Sequence, residues 1–195
     1  WSYADVLPYF KRYENRIGQH DTTYRGTDGE QTVTDLEWRH PLCDAFIKAA
    51  VGIGIPENKD YNGGIQEGVS YVQRTTKGRL RVSAAKAFLN PAKKRRNLSI
   101  QTNAHVMRIE LEGKRATAVR YAVGGRHGVE HVVEARREII LSAGAIGSAQ
   151  ILQVSGIGSS KKLKKLGIEM IHELKGVGEN LQDHLMFRPV YKIQN

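Results

Sequence analysis

Asp183 and His184 are the neighbouring residues in this sequence that come closest to a catalytic pair. A carboxylate beside an imidazole can orient the ring and support general acid–base catalysis. Adjacent residues on a strand, however, point to opposite faces, so a structural role is favoured for this pair. Among the other histidines, only His127 and His131 have ligand spacing on one predicted element, and they flank a turn. The sequence therefore predicts no metal site.

Small residues mark a second place where chemistry could occur. Ser142, Ala143 and Gly144 end a predicted strand whose run Ile139-Ile140-Leu141 indicates burial on both faces. Small side chains there allow a flat ligand, or another part of the chain, to approach the backbone closely. The next helix also opens with small residues, which leaves its N-terminal amides available to a partner or an anion. Tight packing of the strand against the helix explains the pattern equally well.

Two Gly-x-Gly pairs follow in the chain, at Gly156 to Gly158 and at Gly176 to Gly178. A dinucleotide-binding fingerprint follows a strand, opens a helix and contains a third glycine. The third-glycine positions here hold Lys161 and Leu181, and the first pair follows a predicted helix. Neither pair therefore predicts a site for nucleotide phosphates.

Basic residues give the 195-residue chain a formal net charge of +10. Part of this charge lies in two runs, at residues 93–96 and 161–165, and such runs can bind nucleic acid or an anionic membrane. A solvated loop and a solvated helix face are favoured, because no aromatic residues interleave with the cations. A non-catalytic basic module that binds nucleic acid or an anionic surface remains the alternative. Cys43 is the only cysteine, so no internal disulfide forms, and a reducing compartment is the simpler assumption.

The elements that position these residues form a mixed α/β pattern. Helices are predicted behind Ser2, from Pro41, from Ser83 to Asn90, from Gly147 to Gly156, and over SSKKLKKLG. Residues 17–34 are predicted to form a loop. Strands are predicted over VSYVQRTT, LSIQT, HVMRIEL, RATAVRYAV, GVEHVVEA, EIILSA, IEMIHEL and FRPVYKI. Local antiparallel strands thus precede a buried strand that leads into a helix.

Several of these segments, taken in order, resemble one family. The segment ARREIILSAGAIGSAQILQVSGIG resembles the second signature of the glucose-methanol-choline oxidoreductases, and LKGVGENLQDHL resembles the segment after it. The start WSYADVLPYFKRYE resembles the helix after the family's first FAD contacts. The stretch from DYNGGIQEG to NLSIQTNAHVMRI resembles the region between them, and is most similar to choline-dehydrogenase-like members.

This resemblance implies a fold of the α/β class with α+β character. One lobe would bind FAD on a Rossmann-like sheet with an antiparallel meander, and a second lobe would cover the substrate side. Residues 1–97 are expected to supply helices and loops of the substrate-side and linking region. Residues 98–158 would supply the meander, the parallel strand and the helix of the FAD-binding lobe, and residues 159–195 would begin the return to the substrate-side lobe.

The resemblance also implies an enzyme that transfers a hydride from an alcohol to flavin N5 and passes the electrons to an acceptor, with choline or another primary alcohol as the candidate substrate. Val106 would reach the adenine edge of FAD through its backbone. Ser142, Ala143 and Gly144 would line the adenosine side, and Asn180 and Asp183 would lie near the junction with the flavin domain. No catalytic role is assigned to any residue of the chain, and neither a metal nor a nucleic acid partner is expected.

The resemblance covers only the middle of a family member. The family's N-terminal glycine-rich pyrophosphate unit and its C-terminal catalytic histidine segment have no counterpart among these residues. The chain is therefore expected to be an internal piece that neither binds FAD tightly nor oxidises an alcohol by itself. Its sheet is expected to be incomplete, with an exposed apolar face, because the EIILSA strand needs neighbours on both sides.

Overall fold

The computed structural model of the chain describes residues 1–192. It divides into two compact units, one from Trp1 to Ser99 and the other from Ile100 onward. Both units combine helices with strands, which confirms the predicted mixed α/β class. None of the helices in the described part of the chain is both long enough and apolar enough to span a bilayer.

Helix α1 (Tyr3–Tyr13) opens the first unit where the sequence predicts it. The Ser2 hydroxyl accepts a hydrogen bond from the Asp5 amide, and the Asp5 carboxylate accepts one from the Ser2 amide at 2.8 Å. This reciprocal capping box satisfies two of the free donors at the helix N-terminus. Pro8 lies inside the helix, which begins before it and continues beyond it.

Strands β1 (Glu14–Ile17) and β2 (Gln31–Thr34) form a parallel pair, so the predicted loop over residues 17–34 is wrong at both ends. Parallel strands need a crossover connection, and residues 18–30 supply it. The crossover returns along α1 and β1: the Arg16 amide donates to Gly26 O at 2.8 Å, and the Gly29 amide donates to Glu14 O at 2.9 Å. Parallel pairing of two short strands depends on the path of the connecting segment, so the sequence shows no hydrophobic periodicity that would predict it.

The rest of the first unit has two predicted helices and one strand that is much shorter than predicted. Helix α2 (Pro41–Gly52) starts and ends as the Pro and Gly signals indicate. The predicted strand VSYVQRTT shrinks to β3 (Thr76–Lys77), which pairs antiparallel with β4 (Leu80–Arg81). The helix predicted from Ser83 to Asn90 takes the form of a π-helical turn (Ala85–Leu89) that continues into α3 (Asn90–Ala92), so it runs past its predicted end and through Pro91.

Two arginines occupy the interior of the first unit. Arg25 donates to both carboxylate oxygens of Glu14, at 2.6 and 2.8 Å, and also pairs with Asp60. Arg16 donates to Asp35 at 2.5 Å. Both guanidinium groups are buried, and a buried charge is tolerated only when it is paired and hydrogen-bonded. These ion pairs connect β1 to segments that are distant from it in sequence.

The second unit contains the predicted antiparallel meander. Strands β5 (Ala104–Glu112), β6 (Arg115–Val123) and β7 (Val129–Glu134) pair in sequence order. The predicted strand LSIQT does not form. On the meander, hydrogen bonds from Arg120 and then Arg108 lower the pKa of Glu110, which favours the charged carboxylate.

The predicted buried strand EIILSA is wrong in this structure. Residues 138–143 form no strand, and Ile140 is 80% exposed. The physical reason is that a strand exists only through its ladder partners, and β5, β6 and β7 pair with one another alone among the described residues. The run Ile139-Ile140-Leu141 has the composition of a buried strand, but no described strand lies beside it to form a ladder.

The segments after this run are helices and short strands. Helix α4 (Gly144–Val154) confirms the predicted helix and begins three positions earlier, and α5 (Ser160–Lys165) buries Leu163. The predicted strand IEMIHEL is reduced to β9 (His172–Glu173), which pairs in parallel with β8 (Ile157–Gly158). Residues 187–192 of the predicted strand FRPVYKI have no regular structure, and Ile193 lies outside the described residues.

Large apolar side chains remain exposed on the second unit. All six residues of β7 are exposed, and Val129, Val132 and Val133 are among them. Ile146 on the first turns of α4 is exposed as well. The last strand of the meander and the start of α4 thus expose apolar surface. The incomplete sheet predicted around EIILSA stays a prediction, because those residues form no strand here.

Candidate functional site

The turn Ser142 to Gly144 connects the irregular apolar run to α4. Ala143 is the N-cap of the helix, and Gly144 has a φ of +82°, a backbone conformation that favours glycine. The Ser148 hydroxyl accepts a hydrogen bond from the Ala143 amide at 3.1 Å, which holds the turn against the helix. Ser142 and Ala143 are exposed, and a Cβ atom at Gly144 would meet no atom within 4 Å. The turn is therefore fixed on its helix side and open on the other.

Val106 lies on β5, opposite Tyr121 of β6, and is 37% exposed. The register shifts between Val106 and Arg108, which is the mark of a β-bulge. Such an irregularity releases backbone groups from the ladder and makes them available to other partners. This placement is compatible with the backbone contact that the sequence resemblance implies for Val106.

Ser155 joins the strand of Val106 to the helix that follows the turn. Its hydroxyl accepts a hydrogen bond from the Ile109 amide of β5 at 2.8 Å and donates one to Ile151 O of α4 at 2.6 Å. Ser155 is only 4% exposed, so these bonds replace solvent at both partners. The hydroxyl thus fixes α4 against β5, and the helix begins at the Ser142 to Gly144 turn.

The two Gly-x-Gly pairs have structural roles. A Cβ atom on Gly156, where φ is +84°, would lie 2.7 Å from Glu169 O and 2.9 Å from Ile171 Cγ1. A Cβ atom on Gly178 would overlap the side-chain amide of Gln153, which donates to Val177 O at 3.2 Å. These glycines permit close packing of the chain onto the end of α4, in agreement with the absence of a dinucleotide fingerprint.

Asn180, Asp183 and His184 lie in an exposed stretch without regular structure. The Asp183 carboxylate accepts a hydrogen bond from the backbone amide of His184 at 2.8 Å. This bond involves the peptide group of His184 and leaves the imidazole ring out. Among residues 1–192, no hydrogen bond joins this stretch to the Ser142 to Gly144 turn. The structure thus links β5, the strand that carries Val106, with the turn through α4, and among the described residues it shows no hydrogen bond from Asn180 or Asp183 to the turn.

A cavity of about 560 Å³ in the first unit is lined by other residues, including Asp44 and Tyr71. The Tyr71 hydroxyl donates to Asp44 at 3.0 Å, and Arg39 lies 5.0 Å from the centre of the Tyr71 ring. Burial and the hydrogen bond to Asp44 raise the pKa of Tyr71, which keeps the phenol protonated. None of the predicted cofactor contacts lines this cavity. Across the described residues, no group of three or more His, Cys, Asp or Glu side chains could hold a metal ion.

Sequence reasoning missed Ser148 and Ser155 as organising residues of the site. Each hydroxyl accepts from a backbone amide, and Ser155 also bonds back to the carbonyl four residues earlier, as serine commonly does in helices. A serine at the end of a helix is a weak sequence signal for the bond from the Ser155 hydroxyl to Ile151 O. The partner on β5 is 46 residues away, so no local pattern indicates it.

We expect Ser155→Ala to destabilise the second unit by about 1–3 kcal/mol, because the buried Ile109 amide would lose its acceptor. Denaturant unfolding of the full-length protein would measure the loss, and hydrogen exchange at the Ile109 amide would localise it. Ser160→Ala removes a hydroxyl that bonds to exposed Glu173, and serves as the matched control with a change below about 0.5 kcal/mol. Equal stability of the two variants would contradict the assigned role of Ser155.

Curated relatives of the chain share about half of its residues. The chain is 50% identical over 189 residues to an oxygen-dependent choline dehydrogenase 1 of Chromohalobacter salexigens, and 46% identical over 189 residues to an oxygen-dependent choline dehydrogenase of Ectopseudomonas mendocina. Each alignment covers 95% of this chain and 33% of the relative. The chain thus spans about a third of the length of the curated relatives it matches.

The solved structures that this chain resembles include an FAD-dependent oxidoreductase and a pyridoxine oxidase. An FAD-dependent oxidoreductase from Chaetomium thermophilum superimposes with a TM-score of 0.87 at 32% identity, over 94% of this chain and 34% of that protein. Pyridoxine 4-oxidase from Mesorbium loti gives 0.80 at 30% identity, over 89% of this chain and 33% of that enzyme. These matches confirm the predicted fold and FAD as the cofactor of the matching family.

The family comparison agrees with the order of motifs along the chain. The sequence profile described as GMC oxidoreductase matches residues 1–186, which include the turn, β5 and α4. The comparison covers nearly all of the part of the chain that the structure describes. The chain therefore belongs to the GMC oxidoreductase family.

Proposed function

We propose that this chain forms the adenosine-binding part of an FAD-dependent oxidoreductase that oxidises a small alcohol. The observation that carries the proposal is the turn from Ser142 to Gly144, which is open to solvent and fixed to α4. Membership of the GMC oxidoreductase family supports the same reading. The chain's own contribution would be to bind and orient the nucleotide end of the cofactor.

The residues of the turn fit a flat, polar group such as adenosine. Gly144 has no side chain, and the space that a Cβ atom would occupy is empty. The exposed Ser142 hydroxyl can donate to a ribose or phosphate oxygen, and the first amides of α4 favour a negative group at the helix N-terminus. On β5, the irregular register at Val106 leaves backbone groups that can pair with a base edge.

We propose further that Asn180 and Asp183 come close to the cofactor at the junction with the flavin domain. Asn180 has a φ of +53°, a conformation that asparagine adopts more readily than most residues and that often marks functional loops. We also propose that residues 98–158 belong to the FAD-binding lobe. Residues 1–97 would belong to the substrate-side and linking region, and residues 159–195 would begin the return to the substrate-side lobe. Bound FAD would supply the hydride acceptor for the alcohol, and the residues of this chain would hold the adenosine end of the cofactor.

Choline is the first alcohol to test, because two of the similar proteins are choline dehydrogenases. The full-length protein that carries this chain is expected to purify with oxidised flavin absorbance. Anaerobic addition of choline is expected to bleach that absorbance, and admission of an electron acceptor should restore it. Other primary alcohols would serve as alternative substrates. A flavin-free protein, or a flavin that no alcohol reduces, would contradict the proposed function.

The 195-residue chain by itself is expected to bind FAD weakly, with a dissociation constant above the micromolar range. The pyrophosphate of FAD requires a glycine-rich turn at a helix N-terminus, and this sequence contains no such fingerprint. Calorimetric titration of the isolated chain with FAD would measure the affinity, with the full-length protein stripped of FAD as the control. Micromolar or tighter binding by the isolated chain, or alcohol oxidation by it, would overturn this expectation.

A further inference from the structure

The residues from Arg74 to Arg96 form a segment with an extreme charge balance, which we call the basic segment. Nine of its 23 residues are Lys or Arg, and none is Asp or Glu. The segment contains β3, β4, the π-helical turn, α3 and the tetrad Lys93-Lys94-Arg95-Arg96. It lies entirely within the first unit. The proposed flavin chemistry gives this concentration of charge no role.

All nine cationic side chains of the basic segment are exposed. Within residues 1–192, none of them forms a salt bridge. Arg16 and Arg25 of the same unit behave differently, because both are buried and paired with carboxylates. The basic segment therefore presents cations whose charge the described residues leave uncompensated, and these attract polyanions.

Apolar side chains are exposed among these cations. Leu80 is 63% exposed and stands between Arg79 and Arg81 on the β3–β4 hairpin. Phe88 on the π-helical turn is exposed as well. Cations next to exposed aliphatic and aromatic side chains are typical of surfaces that lie at the interface of an anionic bilayer. Phe88 is the only aromatic residue of the segment, so successive bases would lack a stacking platform.

We propose that the basic segment binds the surface of an anionic phospholipid bilayer. The ammonium and guanidinium groups would pair with lipid phosphates and carboxylates, and Leu80 at the hairpin would enter the boundary between headgroups and acyl chains. Binding of this kind is peripheral, because it needs no membrane-spanning helix. It should weaken as salt screens the charges.

Flotation of the FAD-loaded full-length protein with lipid vesicles tests the proposal. We expect the protein to float with vesicles of phosphatidylserine and phosphatidylcholine, and not with phosphatidylcholine alone. The variant K93Q/K94Q/R95Q/R96Q is expected to lower the partition coefficient by about 100-fold or more. The matched control K161Q/K162Q/K164Q/K165Q removes the same number of charges from α5 and its end, and is expected to change it by less than about 3-fold. Leu80→Ser, which keeps every charge, is expected to weaken binding as well.

Three outcomes would overturn the proposal. Equal losses in the two quadruple variants would show that net charge, and not this segment, attracts the membrane. Absence of flotation with anionic vesicles, while the protein binds duplex DNA with a steep salt dependence, would assign the cations to nucleic acid. If the protein neither floats with anionic vesicles nor binds duplex DNA, the basic segment binds neither polyanion. Flavin absorbance of each variant confirms that the protein tested is folded.

Discussion

Gly144→Val in the full-length protein is expected to lower FAD affinity by at least about 100-fold, corresponding to about 3 kcal/mol. Two effects add together at this position. The φ of +82° is unfavourable for any residue with a Cβ atom, and more so for a β-branched one. The valine side chain would also fill the open space beside the turn, where the adenosine is proposed to bind. The ratio of flavin absorbance to protein absorbance after purification measures the loss.

Gly167→Val is the matched control for this substitution. Gly167 also has a positive φ, +69°, and a Cβ atom there would likewise meet no atom within 4 Å. It lies just after α5 and is not part of the turn, so a valine there carries a similar backbone strain without adding bulk to the turn. We expect the control to retain FAD. Ser142→Leu, which adds bulk without backbone strain, should lose FAD as Gly144→Val does, and full FAD occupancy in a folded variant would remove the turn from the site.

Gly26→Ala is expected to destabilise the first unit by about 3 kcal/mol or more. A Cβ atom on Gly26 would overlap the Lys11 carbonyl group and lie 2.9 Å from Glu14 O. Both neighbours are backbone atoms, so relief requires the crossover between β1 and β2 to move away from α1. That movement would also disturb the Arg25 to Glu14 ion pair beside it. Denaturant unfolding of the full-length protein, followed by circular dichroism, measures the effect.

Gly52→Ala makes the same chemical change at a permissive place in the same unit. A Cβ atom on Gly52 would meet nothing within 4 Å, and the residue ends α2. Alanine favours the helix over glycine by up to about 1 kcal/mol, so this control should be neutral or slightly stabilising. A Gly26→Ala protein as stable as the Gly52→Ala protein would show that the crossover does not pack as closely as the structure indicates.

Elements with local causes could be predicted from the amino-acid sequence alone. Helix α1 has its capping box at Ser2 and Asp5, and α2 has proline at its start and glycine at its end. The strands of the meander alternate and are separated by glycine turns, so β5, β6 and β7 lie where they were predicted. The ordered motifs also identified the family, because they extend over most of the chain.

Features that depend on partners distant in sequence could not be predicted, and they become visible in the folded chain. The run Ile139-Ile140-Leu141 has the composition of a buried strand and yet forms none, because no described strand lies beside it. The parallel pair β1 and β2 forms through chain return, and the buried Arg25 is held by residues as far away as Asp60. The Ser155 hydroxyl becomes an organising group only once β5 brings the Ile109 amide to it. Local pattern fixes what a segment can form, and the free energy of pairing and burial with remote segments decides what it does form.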